Sequence, residues 1–122
     1  MDDIFQMNAQ KLAFLGDAVY ELFVREKIVK ENNLNIGELH KLKISKVCCE
    51  AQSEMIKKIE NSLTEKELSI YKRGRNVKTG KVPKHVSPAQ YHRATGLEAL
   101  FGYLYLERRN DRMKEILDML DM

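Results

Sequence analysis

The sequence predicts an all-α protein, and three observations support this prediction. Apolar residues recur at helical spacing along most of the chain, helix-start patterns precede the apolar segments, and no alternating run is long enough for a strand. The length of 122 residues corresponds to about one domain. With 43% hydrophobic and 32% charged residues, the composition excludes a disordered or fibrous chain. We therefore expect one helical domain over residues 1–122.

The first helix is expected over Ala9–Glu31, with Asn8 as its N-cap. Its apolar positions at helical spacing are Leu12, Leu15, Val19, Leu22 and Phe23. After the turn ENNLN, Asn35 and Glu38 form a variant of the capping signature. A second helix is therefore expected from this point to about Ile59.

A short third helix is predicted by the capping box of Thr64 and Glu67, and it should end near Lys72. The segment GRNVKTGKVPKHV follows, with two glycines and a proline. These residues interrupt any helical periodicity, so the segment is expected to be a loop.

A fourth helix is expected to begin at Pro88, with Ser87 as its N-cap, and to continue to about Leu106. Gly96 is a point at which this helix could break. The last segment, DRMKEILDMLDM, has the spacing of a final helix.

Membrane and secretory classes are not supported by the sequence. The start, MDDIFQMNAQ, lacks the basic-then-apolar order of a signal peptide, and no apolar run approaches about 18 residues. A cytoplasmic protein without membrane contact is expected. The two cysteines, Cys48 and Cys49, are adjacent and are interpreted as reduced, partly buried small residues.

Charge is distributed unevenly. Seven of the 21 Lys and Arg residues and none of the 18 Asp and Glu residues lie in Leu68–Leu97, here called the basic segment. This segment carries +7 and the rest of the chain −4. Such asymmetry is typical of a surface that binds a polyanion, although a solvated basic loop is the ordinary alternative. The candidate nucleic-acid-binding residues are Lys72, Arg73, Arg75, Asn76, Lys78, Lys81, Lys84, His85 and Arg93.

Two carboxylates stand alone in apolar stretches, Asp17 in LAFLGDAVY and Glu98 in GLEALFGYLYL. Both are expected to be buried, and Gly16 and Gly102 suggest that another helix or a ligand approaches closely. The simpler explanation is a structural carboxylate paired with a basic side chain. Two converging acids would repel unless a hard cation held them ionised, and oxygen ligands favour magnesium or manganese over zinc. Beside a basic loop, such an ion suits a nucleic-acid phosphodiester.

Two segments resemble the signature helices of the ribonuclease III catalytic domain. LAFLGDAVYELFV is similar to the helix that carries the signature aspartate, and ATGLEALFGYLYL to the helix that carries the closing glutamate. The motifs occur in the expected order, and the resemblance covers essentially the whole chain. The segment KRGRN, together with the absence of a double-stranded-RNA-binding domain, resembles the short bacterial subgroup called Mini-ribonuclease III.

The resemblance implies the all-helical ribonuclease III endonuclease bundle and a homodimer whose cleft accepts double-stranded RNA. It also implies a magnesium-dependent centre in each subunit, with Asp17 and Glu98 as metal ligands and catalytic residues and with manganese able to substitute. Hydrolysis would leave 5′-phosphate and 3′-hydroxyl ends. The implied substrate is precursor 23S (large-subunit) ribosomal RNA, with a ribosomal protein as a partner that could shape it. The candidate nucleic-acid-binding residues would then contact RNA.

The chain departs from the larger enzymes of the family at Gln10, Ala13 and Thr95, where those enzymes carry acids. The Mini-ribonuclease III subgroup shares this reduction, so water and RNA phosphate oxygens are expected to complete the metal shell. The departures keep two other functions open. One is a non-catalytic double-stranded-RNA-binding or ribosome-associated module with the same fold, and the other is a purely structural helical dimer.

Overall fold

A computed structural model describes residues 3–78 and 82–119 and contains, within those ranges, six α-helices and no strand. The helices are α1 (Ala9–Glu31), α2 (Ile36–Val47), α3 (Cys49–Ile59), α4 (Glu65–Arg75), α5 (Pro88–Leu106) and α6 (Asn110–Met119). Short 3-10 turns span Ile4–Gln6 and Glu60–Ser62. The all-α prediction is confirmed. None of the helices in these ranges is long and apolar enough to cross a membrane.

The central helix of the bundle is α5, which packs against α1, α3, α4 and α6. Its fully buried side chains include Leu97, Leu100 and Phe101. The ring of Phe101 meets the ring of Tyr20 from α1 edge to face, with centroids 5.1 Å apart. The core therefore fixes how α5 lies against α1.

The helices α1 and α5 approach each other so closely that each has a glycine at the contact. A Cβ atom on Gly16 would lie 1.6 Å from the Glu98 carbonyl oxygen, and one on Gly102 would lie 2.0 Å from the Leu12 carbonyl oxygen. Backbone atoms would have to move to accommodate either. The close approach predicted at the two glycines is confirmed, and it brings the backbone beside Asp17 against that of Glu98.

The prediction of one helix from residue 35 to about Ile59 is wrong, because the structure has two helices there. Cys48 has an extended backbone (φ −70°, ψ 155°) and lies between α2 and α3, where it is the C-cap of one and the N-cap of the other. The physical reason is packing, since α2 contacts α1 whereas α3 contacts α5. One straight helix could not bury both faces. Both cysteines are free, Cys48 exposed and Cys49 half-buried.

The remaining boundaries lie close to those expected. The capping boxes that start α2 and α4 are both present. The helix α4 ends at Arg75, three residues beyond the expected end. No break occurs at Gly96, because α5 runs unbroken through this residue. The end of the predicted final helix, residues 120–122, and loop residues 79–81 lie outside the described residues.

Candidate active site

Asp17 and Glu98 lie where α1 and α5 pack against each other. Glu98 is half-buried, whereas Asp17 is exposed on the same side of α1 as Phe14 and Ala18. The expectation that both acids are buried is therefore wrong for Asp17. Their convergence, which the metal hypothesis required, is present, because both side chains line the same two cavities.

The two cavities share four lining residues, Asp17, Tyr91, Thr95 and Glu98. One, here called the α3 cavity, lies between α5 and the junction of α2 with α3, and its lining also includes Cys48, Cys49, Gln52 and His85. The other, here called the α1 cavity, is lined in addition by residues of α1 and by Val77. The two carboxyl groups therefore border both the α3 cavity and the α1 cavity.

The resemblance to ribonuclease III drew attention to three positions at which the larger enzymes carry acids, and all three line the α1 cavity. Gln10, Ala13 and Thr95 lie there together with Asp17 and Glu98. The Thr95 hydroxyl donates a hydrogen bond to the Tyr91 carbonyl oxygen at 3.0 Å. The three positions therefore lie together in space, and the acids of the α1 cavity are Asp17 and Glu98. A third acid, Glu50 of α3, lines the α3 cavity.

The environment of Glu98 disfavours its charged form. The pKa of this carboxyl is raised from 4.5 to about 8, first by burial, then by the negative charge of Asp17 and by hydrogen bonding between the two carboxyls. The hydrogen-bonding effect of Gln52 acts in the opposite direction and favours the ionised form. At pH 7 without a cation, Glu98 therefore mostly holds a proton. A cation bound between the carboxyls would reverse this preference.

The donor set of the site fits a hard divalent cation. Two carboxylates converge, and the amide oxygen of buried Gln52 has no hydrogen-bond partner among the described residues. In residues 3–78 and 82–119, no group of three or more His, Cys, Asp or Glu that could hold a metal is found. Magnesium suits two carboxylates because it usually keeps several waters and binds substrate phosphates. Burial raises the pKa of the Cys49 thiol, which disfavours a thiolate-bound soft metal.

Most of the candidate RNA-binding residues in the described ranges are exposed. These are Lys72, Asn76, Lys78, Lys84 and His85. Arg75 is half-buried, with its guanidinium 5.7 Å from the centroid of the Tyr71 ring. Lys81 lies outside the described residues. The structure brings His85 to the α3 cavity beside the two carboxylates.

Arg73 and Arg93 have partners within the protein. The Nη2 group of Arg73 donates to the Phe5 carbonyl oxygen, and its guanidinium carbon lies 5.1 Å from the Phe5 ring centroid. The Nε group of Arg93 donates to the Ser53 Oγ atom at 2.7 Å. These contacts give both arginines a structural role, and their contacts with RNA stay predictions.

Sequence reasoning missed Gln52. In the segment CCEAQSEMI its amide resembles that of any solvated helical residue, yet the side chain is only 1% exposed. The available signal was its spacing from Met55 and Ile56, which are buried three and four residues later on the same helix. A glutamine on the apolar face of a helix is a candidate for a polar role inside the protein.

Comparisons with known proteins show which family and fold this chain resembles. The family model described as the ribonuclease III domain matches residues 10–109. The chain is 43% identical to "Mini-ribonuclease 3" of Thermoanaerobacter sp. (strain X514), with 97% of this chain and 83% of that protein covered. It is 42% identical to "Mini-ribonuclease 3" of Clostridium tetani (strain Massachusetts / E88), with 97% and 79% covered. An X-ray crystal structure of a Fusobacterium nucleatum protein superposes with a TM-score of 0.85 at 37% identity, covering 98% of this chain and 96% of that one.

The fold and the matched residues define a ribonuclease III domain, and an enzyme of the endoribonuclease class. The chain belongs to the ribonuclease III family, among proteins named Mini-ribonuclease 3. The resemblance seen in the two motifs is confirmed, as is the expected ribonuclease III-like helical bundle.

Proposed function

We propose that the protein hydrolyses double-stranded RNA with magnesium bound by Asp17 and Glu98. The observation that carries this proposal is the convergence of these two carboxylates on shared cavities where α1 meets α5. Family membership supplies the class of reaction, and the pair of carboxylates supplies the place for the ion. Manganese should substitute, because it accepts the same oxygen ligands.

The chain's own residues divide the work at this site. Magnesium, when bound, would polarise a phosphoryl oxygen and lower the pKa of a water molecule, which gives a nucleophile near neutral pH. Asp17 is exposed, so an incoming cation can reach it from solvent. Glu98 is half-buried and gives up its proton when a cation enters. The proposed products carry 5′-phosphate and 3′-hydroxyl ends.

The RNA would bind along the basic segment. Its exposed cations in the described ranges are Lys72, Lys78 and Lys84. His85, the next residue after Lys84, lines the α3 cavity beside the two carboxylates. Duplex RNA is recognised mostly through phosphates, 2′-hydroxyls and shape, so weak sequence preference and strong salt dependence are expected.

We also propose a homodimer, because α1 exposes an apolar stripe. Phe14 is 86% exposed, and Leu22 and Val29 are each 60% exposed. Their spacing of seven to eight residues places them along one side of the helix. Asp17 lies one turn from Phe14. A second copy that covered this stripe with twofold symmetry would place an active site on each side of a common cleft.

For the biological setting, we propose one catalytic domain over residues 1–122 that acts in the cytoplasm on precursor 23S ribosomal RNA. Resemblance to the Mini-ribonuclease III subgroup supports this substrate, and a ribosomal protein could assist by shaping the RNA. Mapping of cut sites on a precursor transcript, with and without large-subunit ribosomal proteins, tests the proposal. Random cutting under both conditions would contradict it.

The chemical proposal is tested with duplex RNA and magnesium. Wild-type protein should cut the duplex, whereas Asp17→Asn and Glu98→Gln should stop cutting and leave duplex binding nearly unchanged. An intact duplex across a range of salt and metal concentrations would contradict the proposal. Full-rate cutting by either variant would contradict the role given to that residue.

A non-catalytic RNA-binding or ribosome-associated module is the second candidate, because Gln10, Ala13 and Thr95 replace acids at the α1 cavity. This alternative predicts salt-sensitive duplex binding without cleavage in any metal. The same assay therefore separates the two functions, provided that binding is measured in parallel on a filter.

A further inference from the structure

Gln52 is a buried polar side chain whose acceptor is unused. It belongs to α3, is 1% exposed, and its Oε1 atom has no hydrogen-bond partner among the described residues. Buried amide oxygens in folded proteins are nearly always paired, because a lone buried acceptor loses its hydrogen bonds with water and gains none. This oxygen therefore requires a specific explanation.

The position of Gln52 indicates where a partner would come from. The side chain lines the α3 cavity together with Asp17, Thr95 and Glu98. The Thr95 hydroxyl already donates to the Tyr91 carbonyl oxygen, and ionised carboxylates only accept hydrogen bonds. This applies to the metal-bound site, in which both acids are charged, and there a water molecule held by the cation can donate to Oε1.

Gln52 also lies beside the proposed metal ligands, since it lines the α3 cavity with both Asp17 and Glu98. The next residue, Ser53, is also buried but does not line the cavity. Its hydroxyl accepts a hydrogen bond from Arg93 Nε at 2.7 Å. The two neighbours thus serve different purposes.

We propose that Gln52 is a positioning residue of the metal site. Its amide oxygen accepts a hydrogen bond from a water molecule in the hydration sphere of the ion and so holds that water, and the ion, in place between the two carboxylates. This inference rests on the proposed function, since it requires that Asp17 and Glu98 bind a divalent cation. It also accounts for a buried acceptor that no described residue satisfies.

The test compares folding stability with metal affinity in Gln52→Met. Methionine keeps the length of the side chain and removes both polar atoms, so the metal-free variant should melt at the same temperature as the wild type or above it. Its affinity for Mn²⁺, measured by electron paramagnetic resonance of the free ion, should fall about 10-fold to 100-fold. A glutamine that only packed the core would not give this combination of undiminished stability and weaker Mn²⁺ binding.

Ser53→Ala is the matched control. It removes a buried polar partner on the same helix and should lower the melting temperature while leaving Mn²⁺ affinity unchanged. Gln52→Leu serves as a second variant of different shape, so that the result does not depend on how one side chain packs.

The outcomes separate the two proposals. If the wild type binds Mn²⁺ and Asp17→Asn abolishes binding, but both Gln52 variants bind as tightly as the wild type, the role of Gln52 is overturned and the proposed function stands. If the Gln52 variants melt lower in proportion to any loss of binding, Gln52 is a structural residue and the inference is again overturned. If the wild type binds neither Mn²⁺ nor Mg²⁺, the proposed function fails, and this inference fails with it.

Discussion

Replacement of Glu98 by glutamine should stabilise the metal-free protein at neutral and alkaline pH. Glutamine keeps the size of the side chain but cannot ionise. The pKa of Glu98 is about 8 in the folded protein, against 4.5 for an ordinary glutamate. The folded state therefore binds this proton more tightly than the unfolded state. The stabilisation that the Glu98 proton provides is complete below pH 4.5 and is lost as the pH rises through about 8.

The size of this effect follows from the difference in pKa. One unit corresponds to about 1.4 kcal/mol, so the full rise from 4.5 to about 8 corresponds to at most about 5 kcal/mol. About 3 kcal/mol of this would be lost by pH 7. Water around a half-buried carboxyl reduces these figures, so we expect Glu98→Gln to be more stable than wild type by about 2 kcal/mol at pH 7.

The assay is urea unfolding followed by circular dichroism, between about pH 5 and pH 8 in the presence of a chelator. The free-energy difference between Glu98→Gln and wild type should grow steadily with pH. Glu54→Gln is the control, because this glutamate of α3 has a side chain that is 63% exposed. Profiles for Glu98→Gln and wild type that stay parallel across the range would refute the reasoning.

Magnesium should reverse the order of stability. A cation that binds wild type displaces the proton from Glu98, so nearly one proton per chain should be released on binding at pH 7. Calorimetric titrations in buffers with different heats of ionisation measure this number. Glu98→Gln should release no such proton and should gain little stability from the ion. Equal stabilisation of both proteins would place the cation elsewhere.

Three further predictions test other parts of the structure. Gly16→Ala should destabilise the protein by about 3 kcal/mol or more in urea unfolding, because its Cβ would lie 1.6 Å from a carbonyl oxygen of α5. The control, Gly37→Ala, should be neutral or stabilising, because the nearest atom to its Cβ would be 3.4 Å away. Phe14→Ala should weaken dimerisation by about 2 kcal/mol in sedimentation equilibrium, and an unchanged dimer would exclude the α1 stripe as the interface. Lys78→Ala and Lys84→Ala should each reduce the slope of log affinity for duplex RNA against log salt by the amount that corresponds to about one phosphate contact. An unchanged slope would show that the lysine does not contact RNA.

The helix starts were predictable because their signals are local. Asn35, Thr64 and Ser87 each cap the backbone of residues three positions later, so the information lies within one turn of sequence. The division at Cys48 was not predictable in this way. No glycine or proline marks it, and it arises because α2 and α3 pack against different helices.

The site was predictable in part for a related reason. Asp17 and Glu98 stood out because each is a lone charge in an apolar run. The same apolar runs led to the wrong prediction that Asp17 is buried. Phe14, one turn from Asp17, is apolar yet 86% exposed. Apolar sequence indicates a surface that avoids water, and that surface can be covered by a second chain as well as by the core. Gln52 was missed because its role depends on how α3 is oriented against α5, which sequence spacing alone does not give.

The packing of α1 against α5 brings together the two carboxylates of the proposed metal site. Gly16 and Gly102 let the two backbones touch, and this contact places Glu98 where burial first, and then the negative charge of Asp17, raise its pKa. A cation bound between the carboxyls would offset both effects by favouring the charged form of Glu98. Larger enzymes of the family add further acids, each of which would raise the repulsion in the absence of metal. A neutral acceptor such as Gln52 can position a metal-bound water without adding charge, which is the physical reason to expect metal affinity to depend on this residue where acids are few.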